Sequence, residues 1–183
     1  SKKYLKKPLL ISVLAGVTLN RLEKIFPNHI CVRAVPNTPC LVGQGLTGVC
    51  FGNGATEEQK KIVDDIFMPI SEVFNLLEDQ LNPFLALTSS GPAYVALIIE
   101  ALADGAVSAG MPRELAQKLT IKTLLGSSLL ISEYNLHPGE LKDMVASPAG
   151  TTITALRHLE MAGLRSALIE AVLLASEKSR SME

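Results

Sequence analysis

Short apolar runs alternate with amphipathic stretches in the first part of the chain. Residues 9–14 form a run of the kind that predicts a strand buried on both faces of a parallel sheet. Residues 17–26 carry apolar side chains at helical spacing, and Thr18 is a suitable N-cap for that helix. Further strands are predicted over 30–35, 45–52 and 72–77, and a further helix over 56–68. This order of elements predicts an α/β layer.

From residue 82 onward the apolar positions follow a helical period, with helices predicted over 93–109, 113–131, 140–145, 151–161 and 164–180. Helix 93–109 has Glu100 and Asp104 as its only charged residues, so we expect it to be buried. The change of pattern divides the chain into residues 1–80 and residues 81–183. The first part has too few strands for a complete doubly wound sheet, which predicts the second half of a nucleotide-binding fold whose first half is absent.

Charge and composition narrow the function classes. The 183 residues include 17 Lys and Arg against 18 Asp and Glu, and this balance argues against nucleic-acid binding. The mean hydropathy of +0.29 is high. The uninterrupted apolar runs fall short of the ~20 residues that a membrane span requires. We therefore expect no membrane insertion, and we expect the excess apolar surface to meet another subunit.

The cysteines, histidines and N-terminal lysines do not form a recognisable catalytic or metal-binding motif in the sequence. The three cysteines have no zinc-site spacing, so they predict buried thiols in a reducing compartment and no metal site. No signal peptide is apparent, which predicts a cytoplasmic protein, with a mitochondrial or plastid location still open. The histidines are predicted to have surface or capping roles. The lysines near the start are predicted to form a solvated face; they are Lys2, Lys3, Lys6 and Lys7.

The most informative segment is residues 147–152, where small residues and a proline lead into a predicted helix N-terminus. Unpaired backbone N–H groups and the positive end of the helix dipole meet there. Such a turn can bind a carboxylate or phosphate without Arg or Lys. An ordinary helix cap remains the alternative.

Two further turns fall where strands of the predicted sheet end. Residues 36–39 follow one strand, and Ala15-Gly16 follows another. Ligands of open α/β sheets bind at the carboxyl ends of the strands, so both turns are candidate ligand contacts. A rigid connector and a simple tight turn are the alternatives.

Six ordered segments resemble the pyrroline-5-carboxylate reductase family, the last enzyme of proline biosynthesis. The matching segments cover residues 12–18, 33–39, 90–94, 100–105, 137–142 and 147–152. Three departures accompany them. Thr88-Ser89 stands where the family usually has Ser-Gly, Ala149 replaces a usual glycine, and Met144 occupies a position that is often polar.

The resemblance implies a Rossmann-like domain that binds NADPH or NADH, over residues 1–80, and an all-α dimerisation and substrate-binding domain over residues 81–183. The family's first strand and glycine-rich phosphate loop have no counterpart in the sequence. The resemblance also implies an interleaved homodimer or higher oligomer, in which the loop of one subunit closes over the cofactor of its partner.

The same resemblance implies roles for particular residues. Thr152 is the expected catalytic residue, through a hydrogen bond to the nitrogen of a cyclic imine. The expected carboxylate-binding residues are Ser147, Gly150, Thr151 and Thr152. The expected cofactor-binding residues are Val13, Leu14, Ala15, Pro36, Asn37 and Thr38.

Two alternatives stay open at this point. One is another NAD(P)-dependent imine or β-hydroxy-acid reductase of the same architecture, for which Lys118 and Lys122 are candidate catalytic lysines. The other is that this chain, as it stands, is an inactive oligomerisation module.

Overall fold

The computed structural model describes residues 7–183, so the expected solvated face at Lys2, Lys3 and Lys6 lies outside the described residues. Two compact units are present. The first contains the described residues up to Pro92 together with Glu170–Glu183, and the second is Ala93–Ile169. All four strands of the described chain belong to the first unit.

The sheet of the first unit has four strands in the order β1-β2-β3-β4: β1 (Leu9–Ser12), β2 (Ile30–Pro36), β3 (Gly45–Phe51) and β4 (Ser71–Asn75). β1 pairs with β2 in parallel, β2 with β3 antiparallel, and β3 with β4 in parallel. Between β2 and β3 the chain forms a short 3₁₀ helix, Thr38–Val42, which is too short for the crossover that a parallel pair requires. The sheet is therefore mixed, and the expectation of a parallel sheet was wrong for this pair.

Helices cover both faces of this sheet. α1 (Leu19–Ile25) begins where the Thr18 hydroxyl accepts the Arg21 N–H at 3.3 Å, as its N-cap position predicted. α2 (Glu57–Phe67) begins with a capping box between Thr56 and Gln59. Successive side chains of a strand point to opposite faces, and β2 accordingly supplies both halves of the core. One half contains Leu19, Leu22, Cys31, Cys50 and Leu81; the other contains Val32, Ala34, Val49, Val63 and Phe67.

β1 is shorter and less buried than predicted. It ends at Ser12, and the side chains of Val13 and Leu14 are 59% and 62% exposed. Its other three residues are half-buried rather than buried on both faces. The reason lies in the sheet order, since β2 is the only strand that pairs with β1 among the described residues.

The rest of the described chain is helical, which confirms the predicted fold class of a partial Rossmann-like α/β segment followed by an all-α region. The helices are α3 (Leu81–Thr88), α4 (Gly91–Ser108), α5 (Arg113–Tyr134), α6 (Pro138–Val145), α7 (Thr151–Met161) and α8 (Leu164–Arg180). The prediction of a buried helix at 93–109 was wrong within the single chain. Ala103 is the buried residue of α4, whereas Leu97 is 66% exposed. An apolar pattern shows that a helix needs to be covered, and this chain alone does not cover it.

One segment, Glu78–Ser108, is long and apolar enough to cross a membrane by length and composition. A count of uninterrupted apolar residues misses this segment because its apolar residues are interspersed with polar ones. A single segment of this kind is weak evidence for a membrane span, since core helices of other proteins have the same composition.

Candidate functional site

The first group of predicted site residues lies at one edge of the sheet. β1 and β2 are parallel, and the register pairs Ser12 with Arg33, so the carboxyl ends of both strands meet at that edge. The β1–α1 loop (residues 13–18) follows β1, and the β2 turn (residues 36–38) contains the end of β2. The expectation that these two segments share an edge is confirmed.

The β1–α1 loop presents backbone and apolar side chains to solvent. Val13, Leu14 and Ala15 are exposed, and the Leu14 N–H donates to the Ser12 hydroxyl at 3.4 Å. Gly16 is buried and has φ = +71°. A Cβ at this position would lie 2.8 Å from the backbone oxygen of Met182, so both the backbone conformation and the space require glycine. The loop is therefore fixed at Gly16 and open to solvent at residues 13–15.

The β2 turn is held by the side chain of Asn37. This residue is 9% exposed, and its Nδ2 donates to the Thr88 carbonyl at 3.0 Å while its Oδ1 accepts the Leu46 N–H at 2.8 Å. Pro36 is half-buried and Thr38 is exposed. The Asn37 amide is thus engaged inside the protein, which leaves Thr38 as the exposed polar side chain of the turn.

The second group of predicted site residues forms the α6–α7 loop (residues 146–150) and the first turn of α7. The Gly150 N–H donates to the Ser147 carbonyl at 3.0 Å and closes a tight turn. A Cβ on Gly150 would displace the Ser147 hydroxyl and would lie 3.1 Å from the Ser147 carbonyl oxygen, so the turn is tight at this position. Ala149 lies within the turn at φ = +54°, in the left-handed region that glycine prefers. The departure from the family's usual glycine therefore falls on a residue where the backbone favours glycine.

The N-terminus of α7 offers hydrogen-bond donors to solvent. Gly150 is the N-cap, and no side chain caps the helix in the described structure. The hydroxyl of Thr154 donates to the Gly150 carbonyl at 2.9 Å. In the described part of the chain, no residue accepts a hydrogen bond from the hydroxyls of Thr151 and Thr152; Thr151 is exposed and Thr152 half-buried. The first turn thus retains the free N–H groups and hydroxyls that suit an anion.

Sequence reasoning missed a buried ionic network in the first unit. Arg33 on β2 is 1% exposed, and its Nη1 donates to Glu183 Oε1 at 2.7 Å and to Glu78 Oε1 at 3.3 Å. Asn82 Nδ2 donates to the same Glu183 oxygen at 3.3 Å, and the Ser179 hydroxyl donates to Asn82 Oδ1 at 2.6 Å. We call these five residues the Arg33 network. A lone arginine within an apolar strand was the one signal in the sequence.

Other titratable groups have structural roles. The pKa of the Cys50 thiol is raised to about 11, mainly by burial and secondly by the carboxylate of Glu78, while Arg33 acts in the opposite direction. Burial also raises the pKa of Cys31. His137 Nδ1 accepts the Gly139 N–H at 3.0 Å and caps α6, which confirms its predicted capping role. Among residues 7–183, no three His, Cys, Asp or Glu side chains converge as metal ligands.

The two groups of predicted site residues belong to different compact units. Val13, Leu14, Ala15 and the β2 turn lie at one sheet edge of the first unit, whereas residues 147–152 lie in the second unit. Lys118 and Lys122, the lysines of the alternative reductase mechanism, are exposed on α5.

Known proteins resemble this chain in sequence and in fold. The family model for pyrroline-5-carboxylate reductase dimerisation matches residues 78–182. The pyrroline-5-carboxylate reductase of Synechocystis sp. is 47% identical over 176 residues, which cover 96% of this chain and 66% of that protein. The Escherichia coli enzyme of the same name is 43% identical over 178 residues, which cover 97% of this chain and 66% of that protein.

The structural comparison agrees with the sequence comparison. The crystal structure of Plasmodium falciparum pyrroline carboxylate reductase with NADP bound superimposes with a TM-score of 0.92 at 36% identity, over 98% of this chain and 73% of that chain. The chain spans slightly less than two thirds of the length of the curated relatives, 66% for the Synechocystis protein. The matches in sequence, in fold and in the dimerisation region lead to one assignment: the chain belongs to the pyrroline-5-carboxylate reductase family.

Proposed function

We propose that the protein containing this chain reduces 1-pyrroline-5-carboxylate to L-proline, the last step of proline biosynthesis, with NADPH or NADH as the hydride donor. The observation that carries the proposal is the α7 N-terminus, with its free hydroxyls, at the motif shared with the family. The relatives compared above carry the same enzyme name, which favours this reaction over a β-hydroxy-acid reductase and over an inactive oligomerisation module.

The substrate is a cyclic imine with a carboxylate, and the α7 N-terminus suits the carboxylate. Backbone N–H groups of Gly150, Thr151 and Thr152 lie at the start of the helix, where the dipole favours an anion. The hydroxyls of Ser147 and Thr151 are exposed and add donors. These residues bind and orient the ring through its acid group, without a cationic side chain.

Thr152 is the residue that we assign to the ring nitrogen. It is half-buried on the first turn of α7, and its hydroxyl has no acceptor among the described residues. A hydrogen bond from this hydroxyl orients the imine. As the hydride adds to the ring carbon, the π electrons of the C=N bond become a lone pair on nitrogen, and this nitrogen takes a proton from solvent water through the Thr152 hydroxyl. Thr152 is therefore the proposed catalytic residue.

A reduced nicotinamide, when bound, supplies the hydride. The residues at the sheet edge fit its uncharged ring, because Val13, Leu14 and Ala15 offer exposed apolar side chains and backbone. The β2 turn borders the same edge, where Pro36 and Thr38 provide contact surface and Asn37 holds the turn through its internal hydrogen bonds. We keep all six residues as the proposed cofactor-binding set and leave the choice between NADPH and NADH open.

The proposal extends to domains, assembly and location. Residues 1–80 are the cofactor-binding part and residues 81–183 the dimerisation and substrate-binding part. The dimerisation family match over residues 78–182 supports this division.

Self-association as an interleaved homodimer is supported by the large apolar side chains that the second unit exposes, among them Leu97, Leu125 and Ile169. We propose a cytoplasmic location.

The substitution Thr152→Ala tests the catalytic assignment in the full-length protein. Loss of one well-placed hydrogen bond costs about 1–3 kcal/mol, so we expect kcat to fall about 5- to 160-fold. We expect little change in nucleotide affinity, because Thr152 is assigned to the substrate. Consumption of NADPH with pyrroline-5-carboxylate measures the first quantity, and nucleotide titration the second.

Thr154→Ala is the matched control, because the Thr154 hydroxyl already donates to the Gly150 carbonyl within α7. This variant is expected to retain the kcat of the unsubstituted protein. Equal turnover in Thr152→Ala and Thr154→Ala would remove Thr152 from the mechanism. A protein that consumes neither NADPH nor NADH with this substrate would contradict the proposed function as a whole.

A further inference from the structure

The β1–α1 loop is held in place from several directions by the Arg33 network. At the beginning of the loop, Ser12 pairs with Arg33 across the β1–β2 ladder. At its end, the Leu19 N–H donates to Glu78 Oε1 at 2.6 Å, and the same oxygen accepts from Arg33. The beginning of the loop is therefore anchored beside the backbone of Arg33, and its end is anchored by a carboxylate that the buried Arg33 guanidinium binds.

The middle of the loop is held by the segment after α8. Buried Gly16 packs against the backbone of Met182, since a Cβ at Gly16 would lie only 2.8 Å from the Met182 carbonyl oxygen. The next residue, Glu183, forms the 2.7 Å ion pair with Arg33. Asn82 and Ser179 then hold the Glu183 carboxylate from the other side. Residues 179–183 therefore form a support under the loop, and Arg33 fixes that support to the sheet.

The network is built of charges that are costly to leave unpaired. Arg33 is 1% exposed, and the side chain of Glu183 is 19% exposed. Removal of one partner from a buried ion pair leaves the other charge without compensation. The cost of an unpaired charge favours the geometry in which Arg33 and Glu183 stay paired. The contacts of Gly16 and Leu19 then fix the β1–α1 loop relative to this pair.

We propose that the Arg33 network positions the β1–α1 loop, so that Arg33 and Glu183 are positioning residues for the nicotinamide end of the cofactor. This inference rests on the proposed function for the cofactor, but its structural part does not. The residues of the network act through the loop and have no assigned contact with the substrate.

The variant Glu183→Gln tests the proposal, because it keeps the side-chain length and removes the charge. We expect the amides of residues 13–19 to exchange with solvent about tenfold faster than in the unsubstituted protein, while amides of β3 stay protected. In the full-length protein we expect the Kd for NADPH to rise about tenfold, because a loop that is less ordered in the free protein must be ordered when the cofactor binds. Local exchange measured by mass spectrometry and the Kd together form the readout.

Glu177→Gln is the matched control, since this exposed glutamate lies on α8, shortly before Glu183, and outside the network. It is expected to leave loop exchange and the Kd unchanged. Should Glu183→Gln fail to fold, Ser179→Ala removes the outermost hydrogen bond of the network and is expected to change both quantities in the same direction by a smaller factor.

Unchanged loop exchange or an unchanged Kd in both network variants would overturn the proposal. A uniform rise of exchange across β1, β2 and β3 would also overturn it, because that result indicates general destabilisation. Absence of turnover in the unsubstituted protein would count against the proposed function only, since hydrogen exchange reports the loop without substrate.

Discussion

Single buried residues of the first unit show how the same kind of burial produces different chemistry. Cys50 on β3 is 7% exposed, and its thiol is kept protonated by its surroundings. The guanidinium of Arg33 on the neighbouring strand pairs with two carboxylates, which offset the cost of its burial. Asn37, without charge, satisfies its buried amide with two backbone groups. Each side chain is stable where it lies because of its particular partners.

The buried thiol of Cys50 predicts a loss of stability in alkali. Its pKa is raised from 9.0 to about 11, so between these pH values the unfolded chain loses the proton while the folded chain retains it. The free energy of unfolding should therefore fall as the pH rises from 9 to 11, by at most about 2–3 kcal/mol from this group. Denaturant titrations at several pH values measure this fall.

Cys50→Ala provides the comparison for this prediction. Without the thiol, the free energy of unfolding should decline less over the same pH interval, although the variant is less stable at pH 7 because a core atom is lost. Parallel declines in the two proteins would show that Cys50 makes no contribution to alkaline instability.

At the scale of elements, the α6–α7 loop combines two requirements in five residues. It must leave the α7 N-terminus without a side-chain cap, and it must reverse the chain between two helices. The reversal is achieved with Ala149 in the left-handed region, a conformation that costs an L-residue roughly 1–2 kcal/mol. The loop thus contains local strain next to the donors that we assign to the substrate.

Ala149→Gly should relieve this strain. Glycine loses roughly 0.5–1 kcal/mol more conformational entropy on folding, so the net gain in the free energy of unfolding is expected to be about 0.5–1 kcal/mol. Ala146→Gly is the control in the same loop, because Ala146 has φ = −100° and has no such strain to relieve. That variant should lose roughly 0.5–1 kcal/mol. Equal destabilisation of both variants in thermal unfolding would contradict the assigned strain.

At the scale of the whole molecule, the prominent feature is exposed apolar surface. The second unit exposes large apolar side chains on several helices, including Leu97 on α4, Leu125 on α5 and Leu159 on α7. Exposed apolar surface of this extent marks interaction sites in soluble proteins. A second copy of the chain is the occupant that the dimerisation family supports.

Leu97→Asp tests this assembly. Light scattering after size exclusion should give at least twice the chain mass of 19.6 kDa for the unsubstituted chain and a lower mass for the variant. The reason is that an unpaired charge buried at an interface costs about 3–5 kcal/mol. Ile66→Asp, at a 51% exposed position of α2 in the first unit, is the matched control and should retain the larger mass. Assembly of Leu97→Asp at the unchanged mass would exclude Leu97 from the interface.

Periodicity and cap residues predicted most elements of the fold within a few residues, because Thr18 and the helical spacing behind it are local signals. The direction of β3 was not predictable in this way, since it depends on how short the connection from β2 is once folded. The predicted burial of α4 was wrong for a related reason. An apolar pattern indicates that a helix face packs against another surface, but it does not indicate whether that surface belongs to the same chain. The site segments were recognisable as motifs. Two contacts in the first unit were not predictable, because their partners are far apart in sequence. Asn37 and Thr88 are separated by 51 positions, and Arg33 and Glu183 by 150 positions.

The composition of the first compact unit has a consequence for biosynthesis. This unit contains both the strands near the beginning of the chain and the residues Glu170–Glu183. Domains generally fold as units while the polypeptide leaves the ribosome. Here the sheet emerges early, yet Arg33 stays without its shorter ion pair until Glu183 has been translated. In the nascent chain, the Arg33 side chain therefore lacks this ion pair while the helical unit, which lies between the two parts of the first unit in sequence, is being synthesised.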